Sequence, residues 1–324
     1  MVKRTNPTSV DVAVSGANLQ SSQARRLPLQ SPRFRAHGFT LAELLVTIGV
    51  LGLLVLLFTQ LVNSAATVMT LGHKQMDADS QARQLLDRMA IDVAQMVKRS
   101  DLDFFAKQTA APNSVGGAMA GNDGIAFYSS VPGYYPATGL QSPVSLVAYR
   151  LNSDSTSSAF NKMERMGKGL VWNGVSSTDT PVVFMPIKIS ATWSAATSSS
   201  AADAAYEQVG PQVFRFEYYY LLKNGSFSVI PWISPIHSSV SGMQDVSAIV
   251  VDIAVIDAKS KVLLTNAQIA TLGASLSDYT AGMVPGQLRT SWQNTLNANT
   301  TLPRPAISGI RLYERFVYLS PPVL

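Results

Sequence analysis

The chain has 324 residues, of which 14% are charged and 47% are hydrophobic. This composition fits a mostly folded protein with an additional apolar segment, and it excludes a largely disordered, collagen-like or polytopic membrane chain. The sequence contains no cysteine and only three histidines, His37, His73 and His237. A disulfide framework, a thiolate zinc site, an iron-sulfur cluster and a cysteine nucleophile are therefore excluded.

The net charge of +5 is concentrated in the first 38 residues. This segment is polar and rich in Ser, Pro and Gln, and it carries six basic residues against a single acidic one, Asp11. From Phe39 onward basic and acidic residues are equal in number. A basic, polar head directly before an apolar run is typical of a targeting segment and not of a DNA-binding surface, so we predict no nucleic-acid partner.

An uncharged apolar run, LLVTIGVLGLLVLLFTQLV, occupies residues 44–62. In an α-helix these residues cover about 28 Å, close to the hydrocarbon thickness of a bilayer. The run therefore predicts a transmembrane helix. Basic residues precede it closely, whereas the first basic residue after it is Lys74. The positive-inside rule then places the N-terminus in the cytoplasm and the rest of the chain across the membrane.

Three interpretations of this N-terminus compete: an uncleaved signal anchor, a secretory signal peptide and a prepilin leader. Ser64-Ala65-Ala66 offers a small-x-small cleavage site, but the apolar run is longer than the roughly 7–15 residues of a secretory signal. The segment Gly38-Phe39-Thr40-Leu41-Ala42-Glu43, followed by an apolar helix, resembles the cleavage and methylation motif of type IV prepilins and type II secretion pseudopilins.

This resemblance implies that residues 1–38 are a leader peptide, removed by a membrane-embedded prepilin peptidase that cuts between Gly38 and Phe39. It implies N-methylation of Phe39 and subunit assembly in which Glu43 pairs with the amino group of a neighbouring pilin-like subunit. The chain would then cross the bacterial inner membrane once, in contact with its lipid, with its C-terminal head in the periplasm. The alternative for Glu43 is a carboxylate that snorkels to the headgroups, because a buried one is costly.

The helical pattern continues beyond the apolar run. Residues 73–99 contain no Gly or Pro, and apolar residues recur at helical spacing. The pattern predicts an amphipathic helix packed on a domain, within one helix spanning about residues 39–107. A short coiled coil is the alternative. The sequence of this half also resembles the helix of J-type minor pseudopilins. The predicted buried stripe consists of Ala82, Leu86, Met89, Val93 and Met96.

After residue 107 the pattern changes to that of β-strands, and Asn224-Gly225 predicts a hairpin turn. Because no helix-length segment recurs between the strands, we expect antiparallel pairing. The expected fold is α+β and pilin-like: a long N-terminal helix packed on an antiparallel β-rich head, residues 108–324. Flexible insertions are expected at 152–159 and 194–205, and a short helix or elaborated loop within 266–300. The predicted strands are 124–129, 144–151, 182–193, 212–222, 227–233, 246–256 and 309–319.

The head carries no recognisable catalytic or metal motif. His237 is a lone loop histidine, and no D-x-D-x-D-G loop or complete phosphate loop is present. Tyr218, Tyr219 and Tyr220 are expected to alternate between the two faces of one strand, where sheet packing is favoured over a binding stripe. We therefore expect no enzyme activity, no cofactor and no metal.

These features predict a minor pilin-like or pseudopilin subunit that initiates or caps a filament of a type II secretion system or type IV pilus. The low-charge, Ala- and Ser-rich head would also suit the Verrucomicrobia cassette proteins that share such N-termini. The alternative is a membrane-anchored periplasmic binding or enzymatic domain that does not polymerise. A filament subunit should require Gly38 and Glu43, whereas a simple anchor should not.

Overall fold

The computed structural model describes residues 38–98, 115–134, 141–169, 197, 205–233 and 243–319. The chain divides into two units, Met1–Leu61 and Val62–Leu324. Helix α1 (Leu41–Ala94) begins in the first unit and ends in the second. His37, His237, the leader 1–37 and the predicted strand 182–193 lie outside the described residues.

Helix α1 ends at Ala94, whereas the sequence predicted a helix to about residue 107. The backbone that follows pairs with a strand and does not continue the helix. The N–H of Val97 donates to the carbonyl of Tyr128 at 2.9 Å, and the N–H of Ser130 donates to the carbonyl of Gln95 at 2.9 Å. Because these groups bond to a strand distant in sequence, the helical pattern alone could not locate this end.

The described residues of the head form two sheets. In the first, the strand order is β1-β4-β5-β2-β3, and β6 pairs with β5; in the second, it is β10-β9-β7-β8. All strand pairs are antiparallel except β2 with β5, which meet in parallel at Tyr134 and Lys168. The strands are β1 (Ile125–Ser129), β2 (Gly133–Tyr134), β3 (Gln141–Ser142), β4 (Ser145–Leu151), β5 (Met163–Gly169), β6 (Tyr206–Gly210), β7 (Val213–Leu222), β8 (Phe227–Ser228), β9 (Val246–Ile256) and β10 (Ile310–Tyr318).

The α+β prediction is confirmed, with corrections to the strands, among them the parallel pairing of β2 with β5 where antiparallel pairing was expected. Strand β8 comprises only Phe227 and Ser228, shorter than the predicted run to residue 233. Four strands were not predicted. Strands β2 and β3 have only two residues each, and β5 and β6, MERMGKG and YEQVG, lack a clear apolar alternation. The predicted Asn224-Gly225 turn is present, with Gly225 at a φ of 82°, which glycine adopts without steric cost.

The amphipathic half of α1 packs against the head, as predicted, and it contacts one face of both sheets. All five residues of the predicted stripe are buried, together with Leu85. They share a core with Phe127 and Tyr149 of the first sheet and with Tyr218 and Val251 of the second. Burial of this stripe supplies most of the stabilisation of the helix, since helices in proteins depend on tertiary packing.

The segment 266–300 forms two helices, α3 (Asn266–Ser275) and α4 (Gln287–Ala298), where the sequence predicted a short helix or a loop. They cover the face of the second sheet opposite to α1, with Trp292 fully buried among Phe214 and Tyr219. Two one-turn helices flank them, α2 (Ala258–Lys261) and α5 (Arg304–Ile307). The second sheet is therefore covered on both faces.

The loop 152–159 between β4 and β5 is hydrogen-bonded, although the sequence suggested a flexible stretch. The N–H of Asp154 donates to Asn152 Oδ1 at 2.8 Å, and the N–H of Thr156 donates to Asp154 Oδ1 at 2.9 Å. Ala159 is buried. Short polar side chains that bond to their own backbone thus stabilise a turn here.

Candidate functional site: the amino-terminal motif

The predicted cleavage junction lies directly before α1. Gly38, Phe39 and Thr40 have no regular secondary structure, and α1 begins at Leu41. A Cβ built on Gly38 would meet no atom within 4 Å, and the Phe39 side chain is 83% exposed. Among the described residues nothing covers this junction, which is the geometry that a peptidase cleft requires.

Thr40 and Glu43 form a reciprocal cap at the start of α1. The N–H of Glu43 donates to Thr40 Oγ1 at 3.2 Å. In return, Glu43 Oε2 accepts from the N–H of Thr40 at 2.9 Å and from its hydroxyl at 3.0 Å. This is a capping box, in which two amide donors at a helix start are satisfied by side chains. It also places the carboxylate at the positive end of the helix dipole.

The capping role of Thr40 was missed in the sequence analysis, although the pattern Thr-x-x-Glu before an apolar run predicts it. The structure brings Glu43 together with Thr40, so its carboxylate has a partner within the same chain. That partner is polar and local, which lowers the cost of holding a carboxylate beside the apolar run.

The apolar part of α1 is exposed along its length. It is long and apolar enough to cross a membrane, and its most apolar stretch is not buried within the chain. The hydroxyls of Thr47 and Thr59 donate to the carbonyls of Leu44 and Val55, both at 2.8 Å. These two threonine hydroxyls are therefore satisfied within the helix, as a lipid environment requires.

A second polar cluster lies in the head, between α1 and the first sheet. Asp92 of α1 is fully buried and accepts hydrogen bonds from Arg165 Nε at 2.6 Å and from the Tyr149 hydroxyl at 2.6 Å. Burial, followed by the adjacent Asp92 carboxylate, raises the pKa of Tyr149 well above its ordinary value. Because the groups are closed to solvent and bonded to one another, the cluster joins the helix to the sheet.

The other candidate residues lie on α1 and on the second sheet. His73 is exposed on α1. Tyr218 and Tyr220 face the α1 side of the second sheet, and Tyr219 faces α3 and α4, where its ring stacks on Tyr279 at a centroid distance of 4.0 Å. The three tyrosines thus pack on alternate faces. Within the part of the chain that the structure describes, no group of three or more His, Asp or Glu side chains is arranged to hold a metal ion.

Comparison with known families identifies the amino-terminal motif. Residues 33–59 match the model of the prokaryotic N-terminal methylation motif. The match covers the junction at Gly38 and Phe39, the capping box and most of the apolar run. Comparison with curated proteins finds no significant match.

The matched motif and the α+β fold support a type IV pilin-like protein. The motif implies processing by a prepilin peptidase and assembly with other pilins. Together with the apolar part of α1, it supports anchoring in a membrane.

Proposed function

We propose that this chain is a minor pilin-like or pseudopilin subunit that helps to initiate or cap a filament of a type II secretion system or type IV pilus. The observation that carries the proposal is the matched motif at residues 33–59, with its accessible Gly38-Phe39 junction directly before an exposed apolar helix. Cleavage at this junction leaves the apolar helix on the mature chain, available for lateral packing with other subunits.

The proposed topology is a single pass through the bacterial inner membrane with the head in the periplasm. The excess of basic residues before Gly38 supports this orientation. The mature protein begins at Phe39, which carries an N-methyl group. In the filament, the Glu43 carboxylate exchanges Thr40 for the amino group of a neighbouring subunit, a charged partner that gives a stronger hydrogen bond in a low-dielectric bundle.

The processing step is tested by determining the N-terminus of the membrane-bound protein from its native host by mass spectrometry. The expected result is a chain of residues 39–324 with a methylated Phe39. A chain that begins at Thr67 would instead show ordinary signal peptidase cleavage. A chain that begins at Met1 would favour an anchored, non-polymerising domain. Either of these outcomes contradicts the proposal.

Assembly is tested by site-directed photo-cross-linking. Because the sequence contains no cysteine, an introduced cysteine is the single site of labelling. Leu51→Cys places a single thiol on the exposed apolar helix, where a thiol-reactive photo-cross-linker can be attached. Gln293→Cys, on the exposed side of α4, is the matched control. The expected products from Leu51→Cys, but not from the control, contain a second protein with the same N-terminal motif. Products with lipid alone would contradict assembly.

A further inference from the structure

Three carboxyl groups lie side by side across the second sheet. Glu217 of β7 is the register partner of Asp252 of β9, and Asp252 is the register partner of Glu314 of β10. All three occupy the face of the sheet that α3 and α4 cover, since the neighbouring Tyr219, Ala254 and Phe316 belong to that core. Like charges directly opposite one another in a sheet are destabilising. We call this set of three residues the carboxyl row.

The carboxylates of the two outer acids of the row, Glu217 and Glu314, accept hydrogen bonds from nearby N–H groups. Glu217 Oε1 accepts from the N–H of Tyr279 at 3.0 Å, and its Oε2 lies 3.3 Å from Arg215 Nη2. Glu314 Oε2 accepts from the N–H of Gly286 at 2.8 Å. These bonds connect the sheet to the segments that enter α4.

The central acid differs from its neighbours. Asp252 is fully buried, and neither of its carboxylate oxygens has a hydrogen-bond partner among the described residues. A buried carboxylate without a donor is costly, whereas the neutral acid carries a proton that it can donate to an adjacent carboxylate. Glu217 and Glu314, on the two strands beside Asp252, are the acidic groups that can accept this proton in a hydrogen bond.

The charged and titratable groups around Asp252 lie on the adjacent strands β7 and β10 and in the layer that contains α4. On β7, Arg215 pairs through Nη2 with Glu217 and Asp278, while its buried Nε and Nη1 have no hydrogen-bond partner among the described residues. Tyr219 is uncharged at neutral pH. Across the layer, Tyr279 stacks on Tyr219, and Arg289 of α4 is exposed. The other ionisable neighbours on the adjacent strands are Glu217 and Glu314.

The balance of these effects favours the neutral form. Burial, and then the charges of Glu314 and Glu217, raise the pKa of Asp252 to about 8, against a smaller opposing effect of Arg289.

We propose that Asp252 is held as a neutral acid between Glu217 and Glu314, and that its ionisation loosens the layer of α3 and α4 from the second sheet. In this proposal, the carboxyl row holds the layer of α3 and α4 on the second sheet only while Asp252 is protonated. The direction of the pH dependence of stability follows from linkage. The folded state holds a proton on Asp252 that the unfolded chain, with an ordinary aspartate, releases at about pH 4. The stabilisation from Asp252 is therefore complete below about pH 4, decreases as the pH rises, and is fully lost above about 8.

The test uses the full-length chain in detergent micelles with a chelator present. Thermal unfolding is followed by near-ultraviolet circular dichroism between pH 6 and pH 9, for the parent and for Asp252→Asn. The amide resembles the neutral acid but cannot ionise. The melting temperature of the parent should fall toward pH 9 by on the order of 3 °C more than that of the variant. Asp87→Asn, at an exposed ion pair with Arg315, should retain the pH dependence of the parent.

Infrared spectroscopy gives a readout that does not depend on stability or on folding of the variant. At pH 6 the parent should show the carbonyl stretch of a buried protonated carboxylic acid, and this band should disappear above pH 8. Absence of the band from the folded parent at pH 6, or equal pH dependence in parent and Asp252→Asn, would overturn the proposal. In a separate sample without chelator, a rise in melting temperature with added Ca²⁺ that only the parent shows would also overturn it, because the row would then bind a cation in place of a proton.

Discussion

The carboxylate of Asp92 in α1 accepts two hydrogen bonds from the guanidinium of Arg165 in β5, from Nε at 2.6 Å and from Nη2 at 3.0 Å. Both side chains are buried, and 73 residues separate them in the chain. This two-point ion pair joins the amphipathic half of α1 to a strand that the sequence did not predict.

Removing the charge of Asp92 should destabilise the head strongly. In Asp92→Asn the Arg165 cation loses its buried counter-charge and keeps only the exposed Glu207 carboxylate, 3.3 Å from its Nη1. Removing one partner of a buried ion pair typically costs about 3–5 kcal/mol. Urea unfolding of the full-length chain in detergent measures this loss. The control is Asp87→Asn, which removes the exposed ion pair with Arg315 and should cost at most about 1 kcal/mol. Equal losses in the two variants would contradict the role assigned to Asp92.

Glu43→Leu should separate membrane insertion from assembly. The variant should insert and be cleaved normally, because the helix loses a carboxylate that is costly to place in lipid. In a filament, the neighbouring amino group would lose its counter-charge, a loss of about 3–5 kcal/mol, or more than about a hundredfold in incorporation. Cross-linking yield from Leu51→Cys, compared with cleavage of the same chains, measures the separation.

Thr40→Ala is the matched control for Glu43→Leu. It removes the capping box but retains the carboxylate, so it should cost about 1 kcal/mol at the helix start and leave cross-linking in place. If Thr40→Ala and Glu43→Leu reduce cross-linking equally, Glu43 acts only as a helix cap. If neither variant reduces it, the carboxylate has no part in assembly.

A fragment that begins at Gly72 should be soluble without detergent. The exposed apolar side chains of α1 lie mainly before this residue, while its buried residues begin at Ala78. Circular dichroism should show mixed helix and antiparallel sheet, with no requirement for metal or reductant. The matched fragment that begins at Leu44 retains the apolar run and should require detergent. A predominantly helical spectrum of the shorter fragment would contradict the fold.

Gly273→Ala should weaken the packing of α3 on the second sheet. A Cβ at this position would lie 2.9 Å from the carbonyl oxygen of Phe214, a backbone atom that cannot move aside easily. Overpacking of this kind costs about 1–3 kcal/mol, which outweighs the gain of up to about 1 kcal/mol in helix propensity. Thr271→Ala, at an exposed position of the same helix, should change stability by less than about 0.5 kcal/mol. A more stable Gly273→Ala would show that the contact is loose.

The sequence by itself determined the features that depend on neighbours along the chain. The apolar run at 44–62 predicts a membrane-spanning helix from length and composition alone. The stripe from Ala82 to Met96 predicts a buried helix face, and the structure confirms it. The Asn224-Gly225 turn and the strands with β-branched alternation were equally readable. The Thr-x-x-Glu signal of the capping box was also present in the sequence and was overlooked.

Only the tertiary structure decided the features that depend on partners far along the chain. Strand β5 exists because β4 and β6 pair with it, and α1 ends at Ala94 because the following backbone bonds to the end of β1. The row of Glu217, Asp252 and Glu314 arises from the registers of three strands that are dispersed over almost 100 residues of sequence. Strand register and the environment of a buried charge are set by long-range packing, so no local pattern encodes them.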